Sequence, residues 1–443
     1  MKLFSINDNF KQNYFSLIIS LVPISFIGGN MIININIVLL IISGLIFFSK
    51  DLFKIKIFFL DKLLIIYFSF IVLVGIYNDF FIYYSSLDFS QHRGIYMTSL
   101  KSFLFCRFLL LYFIIRILLE KKILNLKPFF LISTLCVLFV CIDIYFQFIA
   151  GKDFFGYESD DRLRKLSGPF GDEYIAGGYI QRFSLFSFFL FPVLFSKYKE
   201  SVNNFLILIL FLIFFIGITF TGNRMPLVIF FLSSSILLFL EIKNKKILFV
   251  FFSMIVVIFF LIFNFNQKIQ KNFKTFYSIS KQLTKSAFTQ SYINHPLPYK
   301  DEFISGYQTW KVNKTIGGGI TNFNFYCYKS KEKSKISYFC NNHPHNYYLE
   351  NLAKLGIIGF FILIIVLASI FYLTVVKKYF LKSALNNNIT AIPFIFLFFG
   401  ELFPLRSAGS FFTTGNASYI FFIMAILVSL VRKENFIEKS FRK

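Results

Sequence analysis

Charge is scarce in this chain. Of its 443 residues only 15% are Asp, Glu, Lys or Arg, where a soluble globular protein carries about 25%. Acidic residues are scarcer still, 22 against 46 Lys and Arg, and Trp occurs once, His four times and Cys five times. No Cys-x-x-Cys spacing, internal repeat or cleavable signal peptide is evident; the first apolar run, Phe15 to Ile27, leads into a second one rather than a mature domain. What is abundant is apolar: 56% hydrophobic residues, 69 Phe and a mean hydropathy of +0.67. Together these exclude a soluble enzyme, a secreted disulfide scaffold, a disordered protein and a collagen-like fibre. The chain reads as a polytopic membrane protein.

A bilayer core needs about 20 mainly apolar residues per helix. That ruler predicts about twelve spans, near 13–29, 31–49, 62–78, 98–118, 128–149, 178–197, 203–221, 224–242, 246–264, 346–376, 388–405 and 412–431. These runs are too long and too continuously apolar for barrel strands, so the expected fold is an all-α bundle. Basic residues in the short loops orient it. Lys50, Lys54, Lys56 and Lys62, then Arg116, Lys121, Lys122 and Lys127, then the lysines after spans 6, 8 and 10, all fall on one side if the N-terminus is cytoplasmic. An even count of spans puts the C-terminus there too. The net charge of +24 is therefore a topology and lipid-contact signal, and no nucleic-acid partner is expected.

The opposite, outer face carries segments near 79–97 and 150–177 and one large periplasmic loop of 265–345 between helices 9 and 10. Long loops are exempt from the charge rule, and a loop this long is usually functional. Within it Gln267–Ser286 is basic and weakly amphipathic, and Gly317-Gly318-Gly319 is a turn. Three regions follow: an N-terminal bundle at 1–202, a core with the loop at 203–377, and a C-terminal pair with tail at 378–443. Cys106, Cys136 and Cys141 fall in spans as packing residues. Cys327 and Cys340 lie in the outer loop, where an oxidising compartment would pair them; two free thiols are the alternative.

The most informative stretch joins that loop to span 10: His343-Pro344-His345-Asn346-Tyr347-Tyr348-Leu349-Glu350-Asn351-Leu352-Ala353-Lys354-Leu355-Gly356-Ile357-Ile358-Gly359. At about 100° per residue, His345, Leu349, Leu352, Gly356 and Gly359 share one helix face. Glycines there let another helix approach closely and would aim the histidine inward at the outer membrane surface. A capping histidine on an ordinary packed helix is the plainer reading of the same residues.

His345-Asn346, nine residues, then Gly356-x-x-Gly359 resembles the signature of the O-antigen ligase family, which includes O-antigen polymerases and some protein O-oligosaccharyltransferases. Thr219-Phe220-Thr221-Gly222-Asn223-Arg224 resembles the family's upstream arginine turn, and Tyr307–Lys311 with Ile316–Phe323 its glycine turn. The family's second loop arginine has no counterpart here; Lys300 is the nearest cation. The resemblance is most specific over about 203–377. It implies a polyprenyl-diphosphate-linked glycan donor, transfer to a glycan or lipid A–core hydroxyl at the periplasmic face of a bacterial inner membrane, and no cofactor.

The chemistry suits these residues. Arginine grips phosphate oxygens bidentately, so Arg224 would stabilise the leaving diphosphate. Histidine, with an ordinary pKa near 6.5, suits a general base, so His345 and Arg224 are the expected catalytic pair. Arg182, Lys300, Arg406 and Asn346 are expected at the substrate, with Gly356 and Gly359 in helix packing. Lys101 and Arg107 lie on opposite faces of span 4, and Asp143 is a candidate to neutralise one of them. Asp160-Asp161 and Asp172-Glu173 sit among basic residues and read as solvated, so no metal is expected. A lipid or polysaccharide flippase is the rival class; it would show related halves and broken helices at mid-membrane, which the sequence does not display.

Overall fold

The computed structural model describes residues 7–82, 97–158, 166–195, 199–242, 245–265, scattered positions between 270 and 281, 298–332, 338–381 and 389–441. The described residues are helical, without strands. Nine helices among them are long and apolar enough to cross a membrane: Asp8–Ile27, Asn30–Leu52, Phe59–Phe80, Met97–Glu120, Lys127–Ala150, Glu200–Thr221, Arg224–Glu241, Tyr347–Phe380 and Thr414–Arg432. The helix Lys245–Phe265 is apolar over Leu248–Leu261. Two expected spans take other forms. The 178–197 run is divided into Ala176–Phe183, Leu185–Phe188 and Leu190–Leu194; the second break falls where Pro192 cannot donate to the Phe188 carbonyl and its ring crowds that group. The 388–405 run contains only the helix Ala391–Glu401, about 16 Å long and too short to span. Most of Gln267–Ser286, together with Asp160 and Asp161, lies outside the described residues.

The chain divides into two compact units, each assembled from three stretches. The first comprises Met1–Asn36, Ile123–Ile293 and Asn388–Phe403. Its axis is the helix Lys127–Ala150, opened by Pro128 in the first turn and closed by Gly151 at φ 77°, where a left-handed residue ends the helix at no steric cost. Phe129, Phe130, Phe186 and Phe394 pack edge-to-face and stacked with centroids 4.8 to 6.3 Å apart, and edge-to-face pairing adds to plain burial. Gly217 lets the helix Glu200–Thr221 close on this axis; a Cβ there would stand 3.0 Å from Cys141 Sγ. Cys136 and Cys141 are buried in this packing.

The second unit comprises Ile37–Lys122, Asn294–Asn387 and Pro404–Lys443. Here Phe59–Tyr77, Arg107–Glu120 and the helix from Thr414 meet around Asp61. Its carboxylate accepts from Arg116 at 2.6 Å, Arg432 at 2.7 Å, the Tyr112 hydroxyl at 2.6 Å and the Phe58 amide at 2.6 Å. Arg116, fully buried, also donates to Glu120 and to the Lys56 carbonyl, each at 2.6 Å. Every oxygen of Asp61 is used, which is the condition under which buried charge is tolerated. At the other end of Phe59–Tyr77, the loop helices Pro298–Val312 and Phe323–Glu332 build their own small core from Phe323, Cys327, Tyr338 and Ala353, flanked by Ile304 and Trp310. A disulfide joins Cys327 to Cys340, with Cα atoms 5.7 Å apart.

Candidate active site

His345 stands outside the helix it was expected to begin. Pro344 precedes it, and its own φ is +48°, a left-handed conformation uncommon for a residue with a side chain. Asn346 is the helix cap: its Oδ1 accepts the Tyr348 and Leu349 amides at 3.1 Å each, and its Nδ2 donates to the Pro404 carbonyl at 2.7 Å. Those bonds occupy the side-chain amide of a residue expected at the substrate. The His345 carbonyl in turn accepts the Ala408 amide at 2.8 Å. The backbone on both sides of the imidazole is thereby pinned, with the segment after Pro404 as its anchor.

That anchor is itself clamped. Glu350 accepts from Lys354 at 2.5 Å, from the Phe411 amide at 2.6 Å and from the Ser410 hydroxyl. The Lys354 ammonium lies 5.1 Å from the Phe412 ring centre. Arg406, on the same segment, is 7% exposed.

The imidazole meets a carboxylate. His345 Nε2 lies 3.8 Å from Glu302 Oε1, with the two side chains 34% and 17% exposed. This is ion-pair range, beyond a formed hydrogen bond, and catalytic contacts often tighten only when substrate is bound. Burial raises the Glu302 carboxyl above its ordinary range, Asp301 adds to the rise and His345 opposes it. The His343 ring sits 4.2 Å from that of His345. Burial, with the charge of His345 next, pushes His343 down to about 4. His343 is therefore neutral near pH 7 and adds no second cation against a proton arriving on His345. Lys300 lies in the first turn of Pro298–Val312, two residues before Glu302.

The helix after His345 is not continuous. Gly356 has φ 64° and ψ −170°, and the chain segment 314–319 is spliced into the gap. The Ile357 and Ile358 amides donate to the Lys314 and Thr315 carbonyls at 2.9 and 3.3 Å. The Gly318 and Gly319 amides donate to the Ala353 and Lys354 carbonyls at 3.2 and 2.8 Å. A Cβ on Gly356 would stand 2.2 Å from the Thr315 oxygen. The expected common face of His345, Gly356 and Gly359 fails for this reason: the arithmetic assumes an unbroken helix. Gly356 admits a loop backbone, and only Gly359 faces a neighbouring helix, its Cβ position 3.0 Å from Phe70.

In the first unit, Gly222 at φ 68° closes Glu200–Thr221, and Arg224 opens Arg224–Glu241. Asn223 Oδ1 accepts the Gly177 amide at 3.2 Å, and Gly177 is tight there, its Cβ position 2.6 Å from Thr221 Oγ1. A guanidinium at a helix start is on the wrong end for its own dipole; the two positive ends add, and both favour an anion.

Residues 209–364 match the family model described as O-antigen ligase. Over that segment the chain is similar to the O-antigen ligase family. Curated proteins give no match. The matched segment holds Arg224, Lys300, Glu302, His345, Gly356 and Gly359, and leaves out Arg182 and Arg406.

Arg182 is paired within the first unit. Its Nε and an Nη donate to the two oxygens of Glu401 at 3.0 and 2.6 Å, so its fork, expected at the donor phosphates, is already closed on a buried carboxylate. Glu302 and Glu401 escaped sequence reading because each meets its partner across a long stretch of chain. The cap role of Asn346 did have a signal, Asn directly before an apolar helix with Glu in its first turn. Among the described residues no group of three or more His, Cys, Asp or Glu is placed to hold a metal.

Proposed function

We propose that this chain transfers a glycan from a polyprenyl diphosphate to an acceptor hydroxyl on the periplasmic side of the inner membrane, as an O-antigen ligase acting on lipid A–core. The family match supports glycan transfer in O-antigen and lipopolysaccharide synthesis. The observation that carries the reading further is the placement of His345 within the matched segment: half-exposed, held at positive φ by anchored backbone, with its Nε2 facing Glu302. The Cys327–Cys340 disulfide supports an oxidising compartment for the loop.

In this reading the acceptor oxygen attacks the anomeric carbon as the bond from that carbon to the diphosphate breaks. His345 takes the hydroxyl proton, and Glu302 orients the ring and balances the imidazolium. Arg224, by its charge and by the helix start it occupies, is assigned to the diphosphate, where negative charge grows. Direct displacement inverts the anomeric configuration. None of these steps calls on a cofactor.

Deletion of the gene tests the assignment. Long glycan missing from the surface, with lipid-linked polymer accumulating, is the expected result for ligation to lipid A–core. A single repeat left on the core would move the chain to polymerase chemistry, and an unchanged surface glycan would overturn transfer altogether.

A further inference from the structure

The helix that carries Glu302 touches the turn of His345 at a residue without a side chain. Gly306 lies four positions after Glu302 in Pro298–Val312, on the same face and about 6 Å further along the axis. A Cβ at Gly306 would stand 2.9 Å from Pro344 Cβ and 3.2 Å from Leu349 Cβ. Pro344 directly precedes His345, and Leu349 lies in the first turn of the helix that Asn346 caps. Glycine is less favourable than alanine inside a helix, and Gly306 is not among the residues at positive φ. Close approach is what a glycine supplies at this position.

Neither partner in this contact is free to give way. The Leu349 amide donates to Asn346 Oδ1 at 3.1 Å, and the His345 carbonyl accepts the Ala408 amide at 2.8 Å. Elsewhere on the Glu302 helix, Ile304 and Trp310 pack against the small core of Phe323, Cys327, Tyr338 and Ala353. Trp310 Nε1 also donates to the Lys314 carbonyl at 3.0 Å, where the chain enters the break at Gly356. The helix cannot back away without opening that core, and close-packed interiors pass such strain on. Added bulk at Gly306 therefore reaches Glu302, one turn away. Its Oε1 stands 3.8 Å from His345 Nε2, so a displacement of a few tenths of an ångström takes it out of reach.

We propose that Gly306 is a positioning residue: by letting Pro298–Val312 rest on Pro344 and Leu349, it holds the Glu302 carboxylate within reach of the His345 ring. This role rests on the reading of His345 as the base, and it names the residue that sets the geometry of the pair. Gly306 touches no reacting atom and acts only through Glu302.

The test compares Gly306→Ala, Glu302→Gln, the double variant and His345→Ala, each as the full chain in a purified transfer assay beside a thermal scan. Gly306→Ala is expected to lower kcat by about tenfold, with KM within about twofold of wild type. Its melting temperature is expected to stay near wild type, since alanine favours the helix while crowding opposes it. In the Glu302→Gln background the same substitution is expected to lower kcat by less than about twofold further, because its route to the imidazole is already cut. An undiminished loss in that background overturns the proposal, and so does a wild-type kcat for Gly306→Ala beside an inactive His345→Ala. A fully active His345→Ala rejects the base reading itself, and the positioning role falls with it. Should Gly306→Ala not fold, Glu302→Asp withdraws the carboxylate from the other side of the same gap: a kcat as low as that of Glu302→Gln upholds the need for reach, and a wild-type kcat overturns it.

Discussion

Two polar centres occupy the second unit, and they are built on opposite principles. Around Asp61, two arginines, a tyrosine hydroxyl and a backbone amide consume every carboxylate oxygen at 2.6 to 2.7 Å. Around His345, an anchored backbone presents a half-exposed ring to a carboxylate 3.8 Å away, and a second histidine keeps a buried nitrogen without a partner. The first centre is saturated and joins three helices. The second is rigid in its backbone and unfinished in its side chains. Saturation marks scaffold, because buried charge is stable only when complete; incompleteness over a fixed frame marks a place for a ligand.

The comparison breaks most visibly at His345. Replacement by Ala is expected to lower glycan transfer by about 10²–10⁴-fold while leaving the melting temperature nearly unchanged, measured in a purified transfer assay beside a thermal scan. Wild-type rates would reject the base assignment. The opposite profile is expected at Asp61. Asp61→Ala leaves Arg116 and Arg432 buried without their shared carboxylate, at a cost of about 3–5 kcal/mol, read as a large drop in melting temperature. A variant that stays folded at wild-type temperature would show that the Asp61 centre holds nothing together.

The contrast was only half legible in the sequence. Apolar runs announce the spans, and the residues from His343 to Gly359 mark where chemistry and backbone freedom coincide. Helical periodicity, however, describes an ideal helix, and Gly356 leaves it; the splice by residues 314–319 depends on a carbonyl and amide exchange between segments some forty residues apart. The partners of the charges are equally remote. Glu401 reaches Arg182 across 219 positions, and Arg432 reaches Asp61 across 371. A single sequence shows that a cation lies in a span, but not whether a carboxylate waits for it.

A smaller change sharpens the same comparison. Glu302→Gln keeps the shape at His345 and removes the charge opposite its Nε2. Transfer is expected to fall by about 10–100-fold, chiefly in kcat, with stability little altered because Glu302 is not part of a saturated cluster. An unchanged kcat would reduce Glu302 to a neighbour of the ring.

The smallest effect belongs to His343. Its folded pKa, near 4, lies below the ordinary value near 6.5, so between those values the unfolded chain binds the extra proton. Its contribution to stability is complete above about pH 6.5 and is lost as pH falls toward 4. Because the ring is partly solvated, the whole change is on the order of 1 kcal/mol. Melting temperatures at pH 5 and pH 7.5 check it: wild type is expected to lose stability at the lower pH, and His343→Gln to lose measurably less. Equal losses in both would place the acid sensitivity elsewhere and leave the buried nitrogen beside His345 without a titrating role.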